Sequence, residues 1–176
     1  WSYCKEMISG YEKNIVIRVG REKYYLSKYI ANFLAGGLMV ALPLLINFLM
    51  VACFIPALTP DYSYNMYYAI YHQHVWSKYF FTKPGLFIVL YLILDFVIGG
   101  LFASLTLLFA YISKNKYATV VLPFLTILGI HYLRRLLYWK VYIEISPIYI
   151  LHSTAIENPN VWYVILPMVV ILFLAS

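Results

Sequence analysis

Apolar residues along this chain fall into four long runs, separated by stretches that are charged or densely aromatic. The first run, Tyr29 to Leu58, contains no charged residue, and Pro43 within it is a natural bend site. The second, Gly85 to Ser113, carries a single charge, Asp95. A third begins at Tyr117 and stays apolar to about Leu133, and a fourth runs from Val161 to Ser176. At ~1.5 Å of rise per residue, about 20 residues cross a ~30 Å hydrocarbon core. The pattern therefore predicts an all-α polytopic transmembrane bundle with spans at 29–58, 85–113, 117–138 and 161–176. The last of these reaches only about 24 Å, and the chain opens at Trp1 without an initiator Met or a signal-peptide pattern. The expectation is that residues are missing on both sides, and that four of six spans are visible.

The three remaining segments have distinct characters. Residues 1–28 mix Lys5, Glu6, Glu12, Lys13, Arg18, Arg21, Glu22, Lys23 and Lys28 with Met7, Ile8, Ile15, Val16, Ile17 and Val19. That mixture suits a helix at the inner membrane face, with Gly10 and Gly20 as break points. Residues 59–84 form an outer loop in which Tyr64, Tyr67, Tyr68 and Tyr71 keep i, i+3, i+4, i+7 spacing, so one helical face would be a tyrosine stripe. Trp76, Tyr79, Phe80 and Phe81 extend this into an aromatic belt of the kind found at headgroup depth. Residues 139–160 hold Lys140, Glu144, Pro147 and Glu157 and read as an outer interfacial or re-entrant helix pair.

Composition agrees with the pattern and excludes other classes. Of the 176 residues, 64% are hydrophobic and 11% charged, against about 25% charged in an ordinary soluble domain. A soluble enzyme, a secreted disulfide scaffold and a disordered tail all fit poorly. Cys4 and Cys53 fall near opposite membrane faces on this topology, too far apart to bridge. The net charge of +6 records orientation and headgroup contact rather than nucleic-acid binding. With the N-terminal segment inside, the cytoplasmic face carries Lys5, Lys13, Arg18, Arg21, Lys23, Lys28, Lys114 and Lys116. The outer face then carries Lys78, Lys83, Arg134, Arg135 and Lys140. This bias favours a cytoplasmic N-terminal segment in a plasma or inner membrane.

Candidate chemistry is sparse. Asp95 lies near the middle of the second span, where a carboxylate costs ~2.5–3.5 kcal/mol on insertion scales, so it should face protein or a water-filled cavity. It reads either as a substrate, proton or gating contact, or as an interhelical hydrogen-bonding group with Asn47 or Thr126 as partner. His131, one turn before Arg134 and Arg135, could polarise an anionic group or serve as an interface residue. His72 and His74 form a pair with no third His or Cys nearby, which argues against a metal site. Gly36–Gly37 and Gly99–Gly100 with Ala103 and Ser104 are small-residue patches that allow close helix packing or line a translocation path. There is no GxxxxGK[ST], HExxH or GxSxG motif, so nothing positive supports an enzyme and the chain has no P-loop with which to hold ATP.

The most informative stretch is Glu6-x3-Gly10, then Ile15-Val16-Ile17-Arg18-x2-Arg21-x-Lys23-Tyr24, then Lys28 leading into the first long run. It resembles the segment before the third transmembrane helix in ATP-binding-cassette permeases of the type-2 exporter class. The order of later features follows the same family: a long span, an outer connection, two spans joined by a tight Ser113–Lys116 turn, and an outer Ile145-Ser146-Pro147 segment before a last span. The outer connection at 59–84 is longer than in typical members. The resemblance implies a cytoplasmic coupling helix gripped by a separate nucleotide-binding ATPase subunit, with Lys5, Glu6, Lys13, Arg18 and Arg21 as contacts. It further implies a second permease copy, identical or not, and ATP and Mg held by the partner. Asp95, Asn47 and His131 are the intramembrane polar candidates along a path for an amphipathic cargo such as a peptide, a lipid-linked molecule or a drug-like compound. Two other classes stay open: a non-transporting membrane scaffold or sensor with a Tyr-rich outer binding loop, and a membrane-integral lipid-modifying enzyme.

Overall fold

The computed structural model describes residue 6 and residues 9–55, 60–68, 70, 74, 76–112 and 115–137. Every regular element among them is helical. Helix α1 (Tyr11–Val19) is bounded on both sides by glycines at positive φ, Gly10 at 71° and Gly20 at 88°. That is the backbone state glycine adopts without steric penalty, and the two expected break points are where the chain turns. Helix α2 (Arg21–Phe54) has 34 residues, about 51 Å of rise. It starts at Arg21 rather than at Tyr29, because hydropathy marks where charge ends whereas the helix begins at the Gly20 break.

After α2, a single 3₁₀ turn (Tyr62–Tyr64) runs into the one-turn helix α3 (Asn65–Tyr68), and α4 (Ser77–Thr82) follows. The expected tyrosine stripe is thus shorter than a continuous helix over 64–71. Tyr64, Tyr67 and Tyr68 are exposed on it, and Tyr71 lies outside the described residues. Helix α5 (Pro84–Ile112) begins with proline at its first position, where a missing N–H costs nothing. Helix α6 (Lys116–Leu137) is preceded by Asn115, whose side-chain oxygen accepts the Tyr117 N–H at 3.3 Å.

The core is an antiparallel pair. Tyr24 near the start of α2 packs with Ala110 near the end of α5, while Gly36 meets Ala103 and Val40 meets Gly99 further along. The two small-residue patches are brought face to face. A Cβ added at Gly36 would collide with Ala103 Cβ, and one at Gly37 would lie 2.7 Å from the Phe96 ring and carbonyl. On the other side, Gly99 accommodates Val40 and Gly100 accommodates the Phe33 ring. Small residues here let two backbones approach closely and gain van der Waals contact. The Asn32 side chain adds a hydrogen bond to the Ala103 carbonyl across the same seam. Ser104, fully buried there, satisfies itself by donating to the Gly100 carbonyl one turn back at 3.0 Å.

Two helices, α2 and α5, are long and apolar enough to cross a membrane. The apolar stretch of α6, Tyr117–Leu133, is shorter. The expected span at 161–176 and the outer segment at 139–160 lie outside the described residues. Along α2 the apolar side chains are mostly exposed, with Met39, Met50 and Phe54 at 78%, 61% and 85%. A continuous apolar surface of this kind needs a covering other than water, and hydrocarbon is compatible with it.

Candidate functional site

At the end of the helix pair that carries α1, acidic and basic side chains are sorted. The Glu6 carboxylate accepts hydrogen bonds from Lys28 Nζ and from the Tyr24 hydroxyl, each at 2.7 Å. Glu12 accepts from the Tyr25 hydroxyl at 2.6 Å. The Glu6 bonds tie the residues before Gly10, and the Glu12 bond ties the first turn of α1, to the first two turns of α2, and Ile15 and Val16 pack against the cluster of Tyr24 and Ala110. The segment is therefore held against α2, with Ala110 of α5 in the same cluster. The acids Glu6 and Glu12 are turned inward, while Lys13, Arg18 and Arg21 remain on the exposed surface. The Arg21 guanidinium lies 5.9 Å from the Tyr25 ring centre, a cation–π distance. Lys5 lies outside the described residues.

This arrangement divides the five expected ATPase contacts. Lys13, Arg18 and Arg21 are each exposed. Glu6 is engaged within the chain by Tyr24 and Lys28. Sequence spacing alone did not reveal Lys28 or Tyr24 as its partners, because the contacts join residues 18 to 22 positions apart.

A second constellation sits midway along α5. Tyr91 and Asp95 are one turn apart, 8% and 9% exposed, and the Tyr91 hydroxyl and Asp95 Oδ1 have no hydrogen-bond partner among the described residues. Asp95 lies 11 positions into the 29-residue helix, about 16 Å from its start. Neither expected partner meets it. Asn47 is exposed on α2, and the Thr126 hydroxyl donates to the Pro123 carbonyl of its own turn at 2.7 Å. Buried polar atoms are nearly always paired, so an acceptor and a hydroxyl left together in the bundle form a polar point able to take a donor-bearing group.

Near Tyr91, edge-to-face and tilted aromatic contacts lead from residues 62–82 into the bundle. The Trp76 ring packs on Tyr91 at 5.3 Å, Phe80 on Phe87 at 5.2 Å, and Phe87 on Tyr91 at 4.7 Å. Tyr62 and Tyr68 extend the cluster through Phe81 and Phe80. Trp76 takes a left-handed backbone conformation (φ 59°) at the entry to α4. His74 is buried beside this cluster, whereas His72 lies outside the described residues. His131 on α6 is half-buried, with its ring 5.9 Å from Tyr132 and remote in sequence from Asp95. Among the described residues, no group of three or more His, Cys, Asp or Glu side chains is placed to hold a metal ion.

Comparison with known protein families, curated proteins and solved structures finds no match.

Proposed function

We propose that the chain is the membrane-spanning permease subunit of an ATP-driven exporter, with its N-terminal segment in the cytoplasm and ATP hydrolysis in a separate subunit. The observation that carries this reading is the construction of α1. A short helix with Lys13 and Arg18 exposed is held by Glu12, Ile15 and Val16, with Glu6 just before it, against the start of α2 and the Tyr24–Ala110 cluster that joins α2 to α5. Such a part transmits a push. An ATPase subunit docked on it would move α2 and α5 as one body, biasing a second, symmetry-related permease copy and this one between inward- and outward-open arrangements.

Asp95 and Tyr91 then supply a polar point on an otherwise apolar path. That combination suits an amphipathic cargo carrying a hydrogen-bond donor, such as a peptide, a lipid-linked molecule or a drug-like compound. The test is purification in mild detergent from the native host. Recovery of a nucleotide-binding subunit with the chain is the expected result, and its consistent absence would contradict the reading.

One observation favours a second reading, a membrane sensor or scaffold. Tyr64 and Tyr67 stand exposed on a short outer turn held by the Tyr62–Phe81 contact, a surface suited to an outer protein partner. Deleting residues 62–68 separates the two: a sensor loses its partner, while a permease keeps nucleotide-dependent activity.

A further inference from the structure

A groove of about 560 Å³ opens between α2 and α5 at the end that carries α1. Its walls include Arg21, Tyr25, Lys28 and Tyr29 of α2, which recur on one helical face and are joined by Leu26, with Leu107 and Leu108 of α5 opposite. We propose that this groove is a binding site for an acidic phospholipid of the inner leaflet. The inference rests on the membrane placement proposed above, and it goes further by assigning a ligand that the transport reading does not require.

Three features select that occupant. The first is polarity along the groove. Arg21 marks its outer end, and because α2 and α5 run antiparallel, the α5 leucines lie opposite the deeper turn around Lys28 and Tyr29. A phospholipid has the same order, from phosphate to acyl chain. The second is charge. The Lys28 stem lines the groove while its ammonium reaches back to Glu6 and lies 5.8 Å from the Tyr24 ring centre, so it stays at the polar end. Glu6 offsets that ammonium, which leaves Arg21 as the groove cation without an ion pair among the described residues. Third, the groove lies where the uncharged run of α2 begins, after Lys28. On the proposed topology that is headgroup depth, the level at which basic pockets between spans hold anionic lipids. A soluble phosphate compound would satisfy Arg21 alone, and would leave the leucine and tyrosine walls unused.

The experiment places the full chain in nanodiscs of phosphatidylcholine doped with photoactivatable phosphatidylglycerol or photoactivatable phosphatidylcholine, and maps the labelled peptides. The acidic probe is expected to label peptides containing residues 21–29 and 107 more strongly than the neutral one. Arg21→Gln should lower that labelling by about fivefold, the factor one basic residue contributes near an anionic surface. Lys23→Gln, exposed and outside the groove, should leave it unchanged. Equal labelling by both lipids, or indifference to Arg21→Gln, would overturn the proposal, and so would displacement of the label by millimolar glycerol phosphate, which would mark a soluble phosphate compound as the occupant. Alkaline extraction of the same protein from cell membranes keeps the two readings apart. Loss from the membrane fraction contradicts the placement, whereas retention without headgroup preference contradicts only the groove.

Discussion

The carboxylate of Glu6 lies 2.7 Å from the ammonium of Lys28, joining residues 22 positions apart across the Gly20 break. Both side chains are partly exposed, so the pair alone is worth about 1 kcal/mol or less. Its consequence is geometric, because with the Tyr24 and Tyr25 hydroxyl bonds it holds the stretch from Glu6 into α1 against the start of α2. Glu6→Gln should therefore increase amide hydrogen exchange across residues 11–19 while leaving protection in α5 unchanged. Unaltered exchange in α1 would mean that the apolar contacts of Ile15 and Val16 hold it without the ion pair.

The glycine seam gives a contrast within one protein. Gly36→Val forces a branched side chain into Ala103 and the Gly99 carbonyl, and overpacking of this kind costs ~1–3 kcal/mol. Gly129→Ala on α6 meets nothing within 4 Å and replaces the weakest ordinary helix former, so it should stabilise by up to about 1 kcal/mol. Thermal unfolding in detergent should shift in opposite directions for the two. A loss of similar size for both would argue against close contact at Gly36.

Tyr91 and Asp95 offer a test of buried polarity without partners. Leaving a buried polar group unsatisfied costs about 1–3 kcal/mol. Tyr91→Phe and Asp95→Asn should both fold, and Tyr91→Phe should raise the thermal midpoint because it removes an unbonded hydroxyl while keeping the ring against Trp76 and Phe87. A clear fall in the midpoint of Tyr91→Phe would show that the hydroxyl has a partner in the assembled protein. If Asp95 contacts cargo, Asp95→Asn should reduce efflux while membrane insertion stays intact.

Much of this fold was legible in the sequence. The run expected at 85–113 is helix Pro84–Ile112, and that at 117–138 is helix Lys116–Leu137, because a proline and an Asn-led turn punctuate the apolar stretches. The small-residue patches were visible as such, but their mutual contact was not: pairing Gly36 with Ala103 is a property of the fold, and lipid-facing and buried positions share one composition. The candidate site was less legible. Glu6 stood out as a charge in a basic segment, and spacing gave no sign that Lys28 and Tyr24 would engage it from beyond a helix break. Asp95 was visible as a lone acid within the apolar runs, yet its expected partners were chosen by chemistry alone, and Asn47 is exposed on α2.

The docking role of α1 is the central claim, and it rests on Lys13 and Arg18 being exposed on a helix whose acid, Glu12, is engaged by Tyr25. Both are exposed, so the double variant Lys13→Glu/Arg18→Glu should fold and insert normally. The decisive measurement is ATP hydrolysis by the co-purified nucleotide-binding subunit, reconstituted with the wild-type chain or with this variant. The account predicts that the wild-type chain alters the hydrolysis rate and that charge reversal abolishes the effect while the protein remains in the membrane. Equal rates with both chains would contradict it.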